Sequence, residues 1–318
     1  SFAVILAMLA PKTTLVFLCT YQGIAFLDAQ IRSILTQSVS IDLWVSDDGS
    51  NDGTRELVER YENIDPRVRL LDGPRQGFVA NFLSVFENPG VSDYFFLAFA
   101  DQDDIWDTDK LARAQHDLKS NIGPALYGSA TRLVESNGRV FGVSAPRPRP
   151  LSFANALVES LAGGNTMVLN HSAIEWVTEL RATLGDLRDH WVSHDWMLYL
   201  VVALGGHSVV YDPRPTLCYR QHSANLVGGN RQLSARFRRG WGLYRGQFRE
   251  MVRYNEVALS ALRPFMTPSI SRCFDDYLAL RESTWLRSGA RWRQAGLYRQ
   301  QLLDHIALRI AFSLGRFP

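Results

Sequence analysis

Three carboxylates fall within four positions at Asp101-Gln102-Asp103-Asp104, directly after the apolar run Ala98-Phe99-Ala100 and just before Ile105-Trp106. In an extended segment alternate side chains share a face, so Asp101 and Asp103 would point the same way and repel unless a cation stood between them. Oxygen-only donors of this kind suit Mg2+ or Mn2+, hard cations that keep several waters and share a substrate's phosphates. The competing reading is a solvated acidic loop with a helix starting at Asp107. A second acidic pair, Asp47-Asp48, opens the turn Asp47-Asp48-Gly49-Ser50-Asn51-Asp52-Gly53-Thr54. Further on, Ser193-His194-Asp195-Trp196 precedes an apolar run, so Ser193 is placed to cap a helix. Asp195 would then lie in the first turn, where the helix macrodipole favours an ionised carboxylate.

The elements that must position these groups alternate regularly. Residues 14–19 form a short apolar, β-rich run of the kind expected for a buried parallel strand, followed by the turn Thr20-Tyr21-Gln22-Gly23. Phe26, Leu27, Ile31, Ile34 and Leu35 recur at helical spacing. A strand over 41–46, a helix carrying Leu57, Val58 and Tyr61, and a strand over 67–71 follow. Gly77-Phe78-Val79-Ala80-Asn81-Phe82 then opens a helix with Leu83, Val85 and Phe86, and residues 94–100 form the fourth strand. Such alternation predicts right-handed βαβ crossovers and a mostly parallel sheet, with function gathered at the carboxyl ends of its strands. Thr20-Tyr21, Asp47-Asp48 and the acidic stretch each directly follow a strand, so one sheet edge would collect all three. No GxGxxG follows the first strand and no GxxxxGK[ST] occurs, which removes the main support for dinucleotide and P-loop readings. Acids in place of a glycine-rich nest point to a nucleotide-linked substrate bound through a cation.

Composition sets the bounds. With 318 residues and 46% hydrophobic content the chain can bury a substantial core. Its net charge is +2, yet residues 235–318 hold fifteen Arg, no Lys and six acids, a net of +9, against about −7 before them. A basic tail fits anionic lipid, nucleic acid, an acidic partner or a merely solvated helical face. Cys19, Cys218 and Cys273 are far apart, so neither a disulfide framework nor a zinc site is suggested, in keeping with a reducing cytoplasm. Residues 1–10 are apolar but too short to span a bilayer and lack the basic start of a signal peptide, and no internal run is long enough for a transmembrane helix.

In the second half, a helix near 107–118 and a strand near 125–130 lead to Gly142-Val143-Ser144-Ala145-Pro146-Arg147-Pro148-Arg149-Pro150, a stiff basic loop that serves as a surface connector or as a flap beside an anionic acceptor. Gly163-Gly164 precede a strand-like run and allow close backbone approach to a ligand. Residues 211–213 and 217–222 read as a strand, a turn and a second strand, and 225–229 as a mobile loop. From Leu233 onward the pattern is helical and Arg-rich, with Trp241, Tyr244 and Phe248 on one face and Pro264 and Pro268 as breaks. A membrane-surface contact, a helical cap on the catalytic domain and a homo-oligomer contact all remain open for it.

Taken in order, Thr20-Tyr21-Gln22-Gly23, residues 47–54, Gly77-Phe78-Val79-Ala80-Asn81-Phe82, Asp101-Gln102-Asp103-Asp104-Ile105-Trp106, His194-Asp195-Trp196 and Tyr219-Arg220-Gln221-His222 resemble the family 2 glycosyltransferases of the GT-A fold, in their rhamnosyltransferase-like bacterial branch. The resemblance spans roughly residues 14–227 and implies an α/β, Rossmann-like, mostly parallel sheet flanked by helices, as a catalytic domain over 1–232 with a basic helical extension over 233–318. It implies that Thr20 and Tyr21 hold the nucleoside, that Asp48 accepts a hydrogen bond from the base imide, and that Asn81 reaches the nucleotide. Asp101 would lie near the ribose and Asp103 on the metal bridging the diphosphate. Gly164 and Asn165 would lie near donor sugar and acceptor, although members often carry Gly-Cys-Thr where this chain has Gly164-Asn165-Thr166. Asp195 matches the catalytic base and His194 a neighbour that shapes the loop or shares the proton, and His222 and Arg220 lie where a loop closes over the diphosphate, His222 as metal ligand or leaving-group contact and Arg220 as phosphate partner. Asp104 would order the loop and Trp106 pack beneath the site.

The implied activity is inverting, metal-dependent transfer from a dTDP- or UDP-linked sugar to a glycan or lipid-linked glycan acceptor of a bacterial surface polysaccharide, with no nucleic-acid partner. Rhamnose as the donor sugar comes from the resemblance alone. The rivals are a metal-dependent phosphohydrolase using the same acids and a non-catalytic sugar-nucleotide-binding scaffold. A processive polymerase has less support, because Tyr219-Arg220-Gln221-His222 stands where Gln-x-x-Arg-Trp would be required.

Overall fold

The first strand, β1 (Lys12–Thr20), is the spine of a computed structural model that describes residues 12–221, 247–282 and 285–313. Leu15, Val16, Phe17 and Leu18 are all fully buried, because both faces of the sheet are covered. In chain order there follow α1 (Ile24–Leu35), β2 (Asp42–Asp47), α2 (Thr54–Ile64), β3 (Val68–Asp72), α3 (Phe78–Leu83) and β4 (Tyr94–Ala100). Next come β5 (Ile105–Trp106), α4 (Lys110–Leu118), β6 (Ala125–Ser129), β7 (Arg132–Glu135), β8 (Val140–Val143), the single-turn α5 (Phe153–Ala156) and β9 (Val168–Asn170). The remaining elements are α6 (His171–Asp186), α7 (His194–Leu204), β10 (Ser208–Asp212), β11 (Leu217–Gln221), α8 (Gln247–Ala261), α9 (Pro268–Arg281), α10 (Trp285–Ala295) and α11 (Leu302–Ser313).

The main sheet runs β10-β6-β9-β4-β1-β2-β3. Its pairs are parallel except those made by β9, which lies antiparallel to both β4 and β6. Alternating side chains of β1 and β4 divide between two cores. Leu15, Phe17, Leu97 and Phe99 face α3, α6 and α7, while Val16, Leu18, Ala98 and Ala100 face α1 and α4. A small second sheet, β5-β11-β7-β8, flanks the main one. Thr20 pairs with Asp47 and Leu18 with Ala100, so β1, β2 and β4 end together, as the strand-end argument requires.

Several expectations change. The acidic stretch is not extended but turns between β4 and β5, so the alternation argument does not describe it. The helix expected from Asp107 begins at Lys110, and the Asp107 carboxylate instead pairs with Arg132 of β7. The helix after Gly77 ends at Leu83 and continues as a 3-10 turn through Glu87. Ser193 occupies the N-cap of α7, but its side chain makes no capping bond. The small sheet and α6 were not anticipated. In α6 the buried positions Ile174, Val177, Leu180 and Leu184 recur at helical spacing, and Asn170 caps the helix by accepting from the Ala173 N–H at 3.0 Å.

Residues 144–150 form a seam and not a flap. Arg147 pairs with the buried Glu159 at 2.7 Å, and the Pro150 carbonyl accepts from the Tyr298 hydroxyl at 2.7 Å. Phe274, Tyr277, Leu280, Trp292, Leu308 and Phe312 of the C-terminal helices belong to the same continuous core as Phe99 and α7. Residues 1–10, His222, the loop 225–229, Trp241 and Tyr244 lie outside the described residues, as does the expected boundary near 232. No helix among the described residues is long and apolar enough to cross a membrane.

Candidate active site

Four segments converge at the carboxyl end of the sheet: the loops after β1, β2 and β4, and the N-terminus of α7. Gln102 ties the first to the third. Its Oε1 accepts from the Thr20 hydroxyl at 2.7 Å and the Tyr21 N–H at 2.8 Å, and its Nε2 donates to the Tyr21 carbonyl at 3.2 Å. Thr20 is thereby buried, while the Tyr21 ring stays 57% exposed at the rim. The next loop is held by Asp48, whose two carboxylate oxygens accept from the Arg75 N–H at 2.6 Å and the Gly77 N–H at 2.9 Å. Gly77 has φ +87°, a left-handed conformation that a side chain would strain. A carboxylate has about four lone-pair directions, so Asp48 can still accept one more donor.

Asn81 is buried, and its amide is committed to β2: Oδ1 accepts from the Ser46 hydroxyl at 2.5 Å and Nδ2 donates to the Ser46 carbonyl at 3.1 Å. Asp104 is fully buried and accepts from Asn165 Nδ2 and, at 3.4 Å, from the Arg220 N–H. Burial, then Asp101 and Asp103, raise its pKa well above the ordinary carboxylate value. Asn165 is buried in the wall with its Nδ2 donating to Asp104, while its Oδ1 has no hydrogen-bond partner among the described residues. Arg220 straps the acidic loop from outside, donating to the Asp103 carbonyl at 3.0 Å and the Ser136 carbonyl at 2.8 Å. Its guanidinium also lies 5.0 Å from the centre of the Phe26 ring. Trp106 is buried beneath the loop, with the fully buried Lys110 ammonium 3.9 Å from its ring centre.

Asp195 comes from the opposite side, in the first turn of α7, where Ser160 donates to its Oδ2 at 3.0 Å. Burial first, and then the charges of Asp103 and Asp195, push the Asp101 pKa up to about 7. Carboxylates more than ninety residues apart in the chain thus share one electrostatic site. His194 does not share in any proton relay that the structure displays. It stacks on Phe82 with ring centroids 3.6 Å apart, and neither ring nitrogen has a hydrogen-bond partner among the described residues. Burial pushes its pKa down to about 4, against the pull of Asp195, so the ring is neutral near pH 7. A Cβ on Gly164 would run into this imidazole, so Gly164 is required by packing as well as by any approach to a ligand.

Among the described residues, no group of three or more His, Cys, Asp and Glu side chains stands close enough to hold a metal ion. The donor chemistry nevertheless fits one. Asp101, crowded by two like charges, is what a divalent cation would relieve, with waters and substrate phosphates completing its shell.

Residues 15–129 match the model of glycosyl transferase family 2. That stretch of the chain resembles the family's glycosyltransferase domain. The matched residues run from β1 through β6 and contain every loop of the site except those of Gly164, Asp195 and Arg220. The chain is 28% identical over 239 residues to the dTDP-rhamnosyl transferase RfbG of Shigella flexneri, covering 73% of this chain and 80% of that protein. In three dimensions it is similar to S. aureus TarS residues 1–349 in complex with UDP-GlcNAc, at a TM-score of 0.51 and 14% identity, over 90% of this chain and 93% of that one. A second crystal structure of S. aureus TarS residues 1–349 gives a TM-score of 0.51 at 13% identity, over 89% and 79% of the two chains. These structural likenesses establish the GT-A fold of the chain. Sequence reading missed Gln102, Ser160 and Lys110 as parts of the site. Gln102 stood inside the quoted acidic motif, whereas nothing local marks Ser160.

Proposed function

We propose that the chain transfers a sugar from a nucleoside diphosphate to a hydroxyl of a bacterial surface glycan or its lipid-linked precursor, with inversion at the anomeric carbon. The observation that carries this reading is the meeting of Asp195 with Asp101 and Asp103 at the carboxyl end of the sheet, beside the exposed Tyr21 ring. Tyr21 would stack on the base and Asp48 would accept from its imide. The similarity to RfbG favours a dTDP-linked donor, with rhamnose as the first sugar to try.

Asp101 and Asp103 would hold Mg2+ or Mn2+, which when bound neutralises charge on the diphosphate. Arg220, fixed across the acidic loop, offers a second positive charge there. Asp195 does the proton chemistry. With one oxygen oriented by Ser160, the carboxylate takes the acceptor hydroxyl's proton as that oxygen bonds to the anomeric carbon. The bond from that carbon to the diphosphate breaks, its electron pair leaving on the phosphate oxygen. A single displacement of this kind inverts the centre.

The test is Asp195→Asn assayed with dTDP- and UDP-sugars in Mn2+. Transfer is expected to fall by roughly 10²–10⁴-fold, while donor binding by calorimetry stays near that of the parent. Undiminished turnover would remove Asp195 as the base, and release of free phosphate without sugar transfer would favour the phosphohydrolase reading. The donor itself is best found by a thermal-shift panel, since a ligand that binds only the folded state raises apparent stability.

A further inference from the structure

The last helix, α11, is apolar on two opposite faces. Leu308 and Phe312 are buried against the core, whereas Leu302, Leu303, Ile306 and Ile310 are 62%, 69%, 45% and 53% exposed. At 100° per residue these four aliphatics fall on an arc opposite Leu308, so the helix meets the protein with one apolar stripe and presents another outward. An exposed apolar stripe of this kind on a protein surface normally marks a contact.

Along one flank of the outward stripe, Arg309 leads into an open depression of about 700 Å³ that Arg149, Arg293, Trp292 and Tyr298 also line. No acidic residue lines this depression among the described residues. Nor does Arg149, Arg293 or Arg309 pair with a carboxylate among them. The field there is positive. His305, in the same wall, is held below its usual pKa by burial and then by Arg149 and Arg309.

We propose that the outer face of α11 and the arginine-lined depression beside it form a peripheral membrane contact. The four aliphatics enter the headgroup–acyl boundary of an anionic bilayer, and Arg149, Arg293 and Arg309 receive lipid phosphate oxygens. Charge complementarity decides between occupants. A two-fold association of copies through this face would bring the same three arginines of each copy together, like charge against like. An anionic bilayer satisfies both surfaces at once, since amphipathic helices bind there through apolar insertion and basic residues. The proposal stands apart from the sugar-transfer reading, because neither surface contains a residue of the acidic site.

The experiment is co-sedimentation of the full chain with vesicles of phosphatidylcholine alone or with phosphatidylglycerol, across a salt series, beside Ile306→Asn/Ile310→Asn and Arg293→Glu/Arg309→Glu. These side chains are exposed, so far-UV spectra and melting should match the parent. Binding is expected only to phosphatidylglycerol vesicles and should weaken with salt. Each double variant should raise the half-binding lipid concentration by at least about tenfold, given a factor of roughly five per basic residue near an anionic surface. Absence of parent binding, or variants that bind like the parent, would overturn the proposal. So would concentration-dependent dimerisation abolished by Ile306→Asn/Ile310→Asn without vesicle binding, which would assign the face to a second copy.

Discussion

Gln102 spends its amide entirely on the loop that carries Thr20 and Tyr21, so its contribution to the site is the posture of a neighbour. Gln102→Ala removes all three bonds while leaving every acid in place. Each such bond is worth about 1 kcal/mol, so donor KM should rise roughly tenfold with a smaller change in kcat, as initial-rate kinetics would show. Lys110 poses a different question, because its ammonium is fully buried and has no hydrogen-bond partner among the described residues. Burial pulls its pKa down to about 7, partly opposed by Asp104. The unfolded lysine keeps its proton to about pH 10.4, so between these values the unfolded state binds more protons and stability rises with pH. Below about pH 7 both states are protonated and the contribution is flat. Lys110→Met should therefore flatten the rise in melting temperature between pH 7 and 10 relative to the parent. Parallel curves for the two proteins would contradict the buried-lysine account.

At the scale of elements, the start of α7 and the turn after Gly163 are fitted to each other through one glycine. His194 is wedged between Phe82 and the Gly164 backbone, and Asp195 follows it directly. Gly164→Ala forces the imidazole from its place and should cost about 1–3 kcal/mol in urea denaturation, as overpacking does. Removing the obstructing ring in the double variant Gly164→Ala/His194→Ala should cost less than the sum of the two single changes, because residues in contact couple. Additive costs would mean that the two do not press on one another. The same wedge explains why His194 packs even though it adjoins the proposed base: the ring fills an aromatic box and is neutral near pH 7.

Over the whole molecule, the acidic catalytic half and the basic tail are joined by a buried polar seam. Glu159 accepts from Arg147 at 2.7 Å, from the Gln300 N–H at 2.7 Å and from Asn155 Nδ2 at 3.2 Å. Ser152 and the Tyr298 hydroxyl meet at 2.7 Å beside it. Removing one partner of a buried ion pair strands the other, so Glu159→Ala should destabilise the chain by about 3–5 kcal/mol, measured by denaturant unfolding. Limited proteolysis should then cut first near residues 144–150. A change under about 1 kcal/mol, the range of a surface pair, would show that the seam is solvated and does not hold the halves together.

What the sequence determined by itself was local and directional. Strand runs, helical periodicity and the placement of Thr20, Asp47, Asp48 and Asp101 at strand ends follow from side-chain period and from the fixed hand of βαβ units, and the register of β1 with β2 and β4 agrees. Short pieces such as β5, β7 and β8 were not legible, since runs of two to four residues carry too little pattern to be told from loops, whereas β9 matches the strand-like run after Gly163-Gly164. Only the tertiary structure decided which polar groups satisfy one another. Asn165 turned inward to Asp104, Asn81 to Ser46, Ser160 to Asp195 and Arg220 to the acidic loop backbone. These are choices among partners distant in the chain, and the requirement that buried polar groups be paired is met only once packing has brought them together. The same packing sets Asp195 beside Asp101, a distance that no spacing in the sequence encodes.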